Sequence, residues 1–333
     1  MKADTFLQQL WYRGRAPWLR ILLLPLSALF WLLVTLRRAG YHVGILRSRS
    51  VGKPVVVIGN ITVGGTGKTP FVIWLAELLQ GRGIKVGIVL RGYGGSSAHW
   101  PRDVRPDTPA DEVGDEAVLH ASRTGAIVVA GPDRVAAAMR AVALGADIVL
   151  CDDGLQHYQL ARDAEIAVVD AQRGLGNRLL LPAGPLREPP SRLKTVDLLV
   201  STQRSGASAV QASSIVTTAR LGDAISLLGG ERRALASFSG ASVHAVAGIG
   251  NPQAFFDGLQ AVGLKVDGRP LPDHAALSPA DIEFGDRAPV LMTEKDAVKC
   301  RSLADERHWA VRLDIDVSES DRSRVLTLID RVL

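Results

Sequence analysis

Cysteine is nearly absent: Cys151 and Cys300 are the only two in 333 residues, and they form neither a metal-ligand spacing nor a disulfide framework. That usage suits a reducing compartment, with both thiols as small core residues. Aromatic residues are also few, at 5%. They do not interleave with the basic residues, which are spread along the chain. A nucleic-acid surface has the opposite pattern, so nucleic acid is not expected as a partner. The formal charge of +5 is moderate. There is no low-complexity segment and no internal repeat beyond a shared strand–helix grammar, and an apolar content of 47% excludes a disordered chain. No Asn-Lys-x-Asp base-reading motif occurs, which disfavours a GTPase; Thr293-Glu-Lys-Asp296 has its lysine one place too late. A transport ATPase would bring several spanning segments, and this chain has at most one.

What is present is organised around Val55-Val-Val-Ile-Gly-Asn-Ile-Thr-Val-Gly-Gly-Thr-Gly-Lys-Thr69. Four apolar residues predict a buried parallel strand, a glycine-rich loop follows, and Lys68 opens a helical pattern. This is the order that a phosphate-binding loop needs. Gly64, Gly65 and Gly67 let backbone N–H groups turn inward around phosphate oxygens, and the helix N-terminus adds partial positive charge. Thr62, Val63, Gly64, Gly65, Thr66, Gly67, Lys68 and Thr69 are therefore the expected ATP-binding residues. Lys68 would reach the β/γ-phosphates, and the Thr69 hydroxyl would ligate Mg²⁺. Thr62 stands where such loops usually begin with glycine.

Residues 1–50 have a different composition. Ile21 to Leu36 is an uncharged run flanked by Arg13, Arg15 and Arg20 and by Arg37-Arg38. As a helix it spans roughly 24 Å, a little short of the ~30 Å hydrocarbon core. Basic residues on both sides give no orientation signal. A full span, a re-entrant or interfacial helix, and a buried core helix are the readings it allows. A loop that binds ATP must face the cytosol, so the expected location is the cytoplasmic face of a membrane.

Lys85 to Leu90 predicts a second parallel strand, ending in Arg91-Gly-Tyr-Gly-Gly95 at the sheet edge where α/β proteins bind ligands. Ser96 to Thr108 reads as a loop, and Asp111 to Ala121 as one helix with acids in its first turn. A strand at Ala126–Ala130 and a helix from Asp133 to Val142 follow, with Arg134 near the phosphates. Asp147 to Asp153 is an apolar strand ending in two acids, the placement of a metal-holding carboxylate; Asp152 and Asp153 point to different sides of an extended chain. Ile166–Asp170 and Val196–Ser201 complete a first sheet, with a proline-bracketed loop over Leu179–Pro190 between them. Ser205–Ala219 suits a linker or exposed edge. Strands at Val243 and Val290 then alternate with helices, and Trp309–Val317 is a last strand.

The fold class is thus α/β: a doubly wound, mainly parallel sheet of the P-loop NTPase type, with a second, smaller α/β domain and an N-terminal membrane helix. The expected divisions are 1–45 for the membrane helix, 46–220 for the P-loop domain and 221–333 for the smaller domain.

Gly64-Gly-Thr-Gly-Lys-Thr-Pro70, Arg91-Gly-Tyr-Gly94, Gly114-Asp-Glu116, Asp152-Asp-Gly-Leu-Gln-His157, Leu181-Pro-Ala-Gly-Pro-Leu-Arg-Glu188, Pro272-Asp-His274 and Thr293-Glu-Lys-Asp-Ala-Val298 occur in the order seen in tetraacyldisaccharide 4'-kinases, the lipid A 4'-kinases of Gram-negative bacteria. The resemblance covers nearly the whole chain. It implies ATP-dependent phosphorylation of the 4'-hydroxyl of an acylated glucosamine disaccharide 1-phosphate at the inner membrane, with no obligate protein partner. By the same resemblance Asp115 is the general base and His274 its partner histidine. Asp152 and Asp153 are metal-side acids beside Thr69, Arg134 and Arg187 meet phosphate charge, and Glu188 has a metal or orienting role. Relatives often carry two histidines where this chain has His274 and Ala275. Thr293–Lys299 reads as a packing and hinge element with Thr293 as helix cap. The alternative to a lipid kinase is a membrane-tethered P-loop ATPase or nucleotide switch acting on a protein partner.

Overall fold

The computed structural model describes residues 3–13, 16–203, 214–273, 275 and 277–333. Helices α1 (Ala3–Tyr12) and α2 (Pro17–His42) precede β1 (Val55–Gly59), α3 (Lys68–Gln80), β2 (Val86–Leu90) and β3 (Arg102–Val104). Next come α4 (Ala110–Val113), α5 (Asp115–Arg123), β4 (Ile127–Ala130), α6 (Arg134–Ala143), β5 (Ile148–Asp152) and β6 (Ala164–Asp170). They are followed by β7 (Leu198–Gln203), β8 (Ile215–Ser226), β9 (Arg232–Arg233), β10 (Ser242–Ala247), α7 (Pro252–Ala261) and β11 (Lys265–Pro270). The chain ends with α8 (Pro279–Ile282), β12 (Val290–Thr293), α9 (Glu294–Cys300), β13 (His308–Val317) and α10 (Glu319–Val332). Two compact units result: Met1–Lys68 with Arg134–Thr218 and Val317–Leu333, and Thr69–Asp133 with Ala219–Asp316.

In the first unit the strands lie in the order β7-β6-β1-β5, all parallel. Every residue of β1 and β5 is buried, as expected of central parallel strands covered on both faces. Their register pairs Ile58 with Asp152, so the turn after β1 and the two acids at the end of β5 lie side by side at the sheet's carboxyl edge. The sheet does not close at β7. Ile215 to Thr218, the start of β8, adds a parallel strand inside the stretch expected to be a linker; alternation buries Ile215 and Thr217, and that pattern outweighs the polar composition. Residues 204–213 of that expectation lie outside the described residues. Helix α10, which sequence reading missed, buries Val325, Leu328 and Ile329, and is capped by the Ser318 hydroxyl accepting from Asp321 N–H.

Helix α2 belongs to this unit and is tied to it along its length. The Ser27 hydroxyl, 6% exposed, donates to Leu180 O and accepts from Ala183 N–H, both at 3.0 Å. Arg38 Nη2 donates to Thr195 Oγ1 at 3.0 Å, and the Tyr41 and Tyr158 rings lie 5.7 Å apart. Before it, Trp11 Nε1 donates to Pro182 O at 3.0 Å. On its outer side Trp18, Leu22, Leu26, Leu29, Leu33 and Leu36 are exposed.

In the second unit β2 and β4 are parallel, and β3 runs antiparallel to β4. Part of the expected loop 96–108 is therefore an edge strand. The expected single helix from Asp111 is two, broken at Gly114. Its φ is +88°, and a Cβ there would lie 2.3 Å from Tyr93 O, so the break needs glycine. The remaining strands follow the order β11-β10-β12-β13-β8, parallel from β11 to β13, with β9 antiparallel to β8. Phe238, Phe255, Phe256, Leu259 and Trp309 fill their core, with Phe238 and Trp309 packed edge to face at 5.5 Å.

Candidate functional site

Between β1 and α3 the chain forms the glycine-rich loop. Gly67 has φ +81°, and a Cβ would come within 2.9 Å of Thr202 Cγ2, so only glycine lets the loop pass β7. Asn60 holds the loop from inside: Nδ2 donates to Thr66 Oγ1 at 3.0 Å and to Gly64 O at 3.3 Å. Thr202 Oγ1 donates to Thr66 O at 2.8 Å. Thr62 is buried and bridges Leu186, and Val63 N–H donates to Pro185 O at 2.8 Å. The departure at Thr62 thus anchors the loop to the 179–188 segment, while Gly64 and Gly65 stay exposed. Lys68 is the first residue of α3, and Thr69 the second.

Lys68 Nζ stands 3.4 Å from Asp153 Oδ1. Arg187 grips the same carboxylate from the other side, Nη2 to Oδ1 at 2.8 Å and Nη1 to Oδ2 at 3.1 Å. Arg187 Nη2 also donates to Asn60 O at 3.0 Å and contacts Asn60 Oδ1. Partial desolvation opposes ionisation of Asp153, but Lys68 and Arg187 outweigh it and hold its carboxyl well below the usual carboxylate range. Asp153 adopts φ +51°, a left-handed turn that aspartate tolerates better than most residues. Asp152, buried at the end of β5, is 3% exposed. Arg134, 4% exposed, starts α6, where its charge acts on Cys151 of β5.

Glu188 is fully buried. Its Oε1 accepts from Gln156 Nε2 at 2.7 Å, its Oε2 accepts from the Tyr158 hydroxyl at 2.6 Å, and Arg192 Nε lies 3.3 Å from Oε2. Burial and then Glu188 push the Tyr158 hydroxyl up to about 12, so it remains a donor. Gln156 Nε2 also donates to Asn60 O at 3.1 Å. Gln156 thus links Glu188 to Asn60 beneath the loop.

The hard oxygens available, the Thr69 hydroxyl and the two aspartates, match Mg²⁺, which keeps water and substrate phosphate among its ligands and takes few protein carboxylates. Among the described residues no group of three or more His, Cys, Asp and Glu gathers as an all-protein metal cage.

In the second unit Asp115 and Glu116 form the first turn of α5. Asp115 is 6% exposed, and its Oδ1 accepts from Glu116 N–H at 2.9 Å. Lys295 of α9 places Nζ 3.4 Å from Glu116 Oε1 and 3.6 Å from Asp273 Oδ1. Thr293 caps α9 as expected, accepting from Asp296 N–H. His274 lies outside the described residues.

Asn60 and Lys295 were missed in the sequence. Asn60 carried one signal, its place just after a buried strand at the carboxyl edge; Lys295 carried only its place in the Thr293–Val298 motif.

A model of the LpxK family, tetraacyldisaccharide-1-P 4'-kinase, matches residues 19–333. A tetraacyldisaccharide 4'-kinase of Nitrosococcus oceani is 46% identical over 329 residues, covering 98% of this chain and 95% of the relative. One from Stenotrophomonas maltophilia is 48% identical over 309 residues, covering 91% and 90%. Among solved structures, LpxK from Aquifex aeolicus in complex with ATP superposes with a TM-score of 0.80 at 29% identity, covering 94% of this chain and 99% of that one.

Proposed function

The chain belongs to the tetraacyldisaccharide-1-P 4'-kinase family, and from that premise we propose that it transfers the γ-phosphoryl group of ATP to the 4'-hydroxyl of tetraacyldisaccharide 1-phosphate, giving lipid IVA for lipid A synthesis. The observation that carries this reading is Asp153 held between Lys68 and Arg187 at the mouth of the glycine-rich loop. A polyphosphate entering that loop can replace one anion with another: Lys68 and Arg187 turn to phosphate oxygens, and the Asp153 carboxylate is released toward a cation.

The roles then follow from the chemistry. Residues 62–69 cradle the phosphates through backbone N–H groups and the α3 N-terminus. Thr69, Asp152 and Asp153 would hold Mg²⁺, which would supply positive charge to offset that of the phosphates. Arg134 and Arg187 supply positive charge to the transferring group. Asp115 takes the proton of the 4'-hydroxyl as the new O–P bond forms and the bond to ADP breaks, and His274 stabilises that proton. Glu188 keeps the loop in place.

Localisation fits the same reading. A helix fastened at Ser27, midway along its apolar run, to residues 180–183 of its own unit cannot carry that midpoint into the bilayer centre alone. We infer that α2 lies in the membrane surface, its outer apolar face in lipid and its arginines at the headgroups, on the cytoplasmic face of the inner membrane. The working division is 1–45 for membrane attachment, 46–220 for nucleotide and 221–333 for the loop carrying His274.

The test is product identification. Detergent-solubilised protein, ATP, Mg²⁺ and tetraacyldisaccharide 1-phosphate should give a lipid one phosphate heavier, with the 4'-carbon signal split by coupling to phosphorus in NMR. Release of free phosphate with unchanged lipid would support the tethered ATPase instead.

A further inference from the structure

We propose that Lys295 is a positioning residue for Asp115, its ammonium joining the first turn of α5 to the Asp273 loop. The inference rests on Asp115 being the base of the proposed reaction.

Lys295 Nζ sits between two elements, 3.4 Å from Glu116 Oε1 on α5 and 3.6 Å from Asp273 Oδ1 on the loop that continues into His274. Its side chain is 17% exposed. Desolvation opposes the ammonium charge, but Glu116, Asp115 and Asp273 outweigh it, in that order, and raise its pKa. A charged lysine is thereby fixed among three acids, one of them the base.

The other charged groups of α9 hold the frame around it. Glu294 accepts both bonds of the Arg123 Nη1 fork from the last turn of α5, at 2.8 and 2.6 Å, and Leu313 N–H donates to it at 2.9 Å. Arg123 Nη2 reaches Asp314 at 2.8 Å. Asp296 accepts from Gly248 N–H at 2.8 Å. Lys299 Nζ, 2.9 Å from Asp296, donates to Ala275 O at 3.0 Å, which fastens the loop just past His274. These contacts set α9 against α5 at one end and against the loop at the other, with Lys295 in its first turn beside Glu294.

Lys295 lies between Glu116 and Asp273, and its charge bears on Asp115 from there. A positive charge so placed attracts the Asp115 carboxylate and fixes its side chain before substrate arrives. The N-terminus of α5 acts with the same sign.

The full chain in detergent decides the matter, with kinetics over a pH series for wild type, Lys295→Met, Lys295→Arg, Asp115→Asn and the Lys295→Met/Asp115→Asn double variant. Lys295→Met should lower kcat by roughly 10–100-fold at neutral pH with the KM for ATP nearly unchanged, and move the acidic limb of kcat/KM upward by about one pH unit. Lys295→Arg should restore the limb, and the double variant should be no slower than Asp115→Asn. A Lys295→Met limb at the wild-type position overturns the proposal. So does a rate loss that comes with a lower Tm, is not rescued by arginine and adds fully to Asp115→Asn. If Asp115→Asn itself transfers at the wild-type rate, the base assignment falls; if it is inactive while Lys295→Met is unchanged, only the role of Lys295 falls.

Discussion

Lys68 Nζ lies 3.4 Å from Asp153 Oδ1, so the lysine that a phosphate loop offers to its ligand already has a carboxylate in hand. Arg187 completes the clamp with two bonds to the same group. Removing the carboxylate should uncouple nucleotide from metal. For Asp153→Asn we expect ATP without Mg²⁺ to bind at least as tightly as to wild type, because two cations lose their internal partner. Mg²⁺-dependent transfer should fall by about 10²-fold or more. Titration calorimetry with and without Mg²⁺, beside a transfer assay, checks both. Lys68→Met should weaken both.

Metal removal gives a second outcome. The oxygens of Thr69, Asp152 and Asp153 suit Mg²⁺, and no all-protein cage is seen among the described residues, so the ion should leave readily. EDTA should abolish transfer, excess Mg²⁺ should restore it in full, and the unfolding temperature of the nucleotide-free protein should stay unchanged. A chelator-induced drop in Tm would point to a structural metal instead.

The outer face of α2 predicts how the protein meets lipid. Leu26→Glu with Leu29→Glu puts two charges on exposed positions and should abolish co-sedimentation with anionic vesicles while leaving the fold intact. Trp18 and Trp31 should both be quenched by lipids brominated near the headgroup rather than at the chain ends. Quenching of Trp31 from the bilayer centre would instead require a spanning helix.

How far the sequence was readable depended on whether chemistry or packing set the pattern. The glycine loop, the paired aspartates after β5 and the cap at Thr293 were legible because each has a local cause: a positive φ, a strand end, a helix start. β8 was hidden because a polar residue, Thr217, takes a buried place in it, a burial that its pairing with β7 creates. α10 carries its few apolar residues among many charged ones, and β3 is too short to show a period. The break at Gly114 depends on Tyr93 O, a contact from another loop. Asn60 and Lys295 look ordinary in sequence, since their roles come from what surrounds them.

Gly114 sets the N-terminus of α5 and so the place of Asp115. Gly114→Ala would force a Cβ to 2.3 Å from Tyr93 O at φ +88°. Backbone strain of ~1–3 kcal/mol is expected, with a similar cost for overpacking. Thermal unfolding should show a Tm lower by roughly 5 °C or more, and transfer should fall even at temperatures where the protein stays folded.

The two buried thiols give a pH signature. Burial pushes Cys151 up to about 11 and Cys300 up to about 12, from an ordinary value of 9.0. A folded pKa above the unfolded one means the stabilisation is fully present below pH 9 and is lost as pH rises through 11 to 12. Stability from urea titrations should therefore decline above pH 9, and less steeply in Cys151→Ser/Cys300→Ser after allowance for the variant's own packing loss. At pH 8 neither thiol of the folded protein should react with a thiol reagent, and both should react in urea.

Transfer of label from γ-labelled ATP, measured for wild type, Lys68→Ala and Asp115→Ala with tetraacyldisaccharide 1-phosphate and Mg²⁺, tests the central claim most directly. Label should enter the lipid with wild type and fall by roughly 10²-fold or more with either variant, the usual scale of a lost general base. Label found only in free phosphate, at a rate indifferent to Asp115, would contradict it.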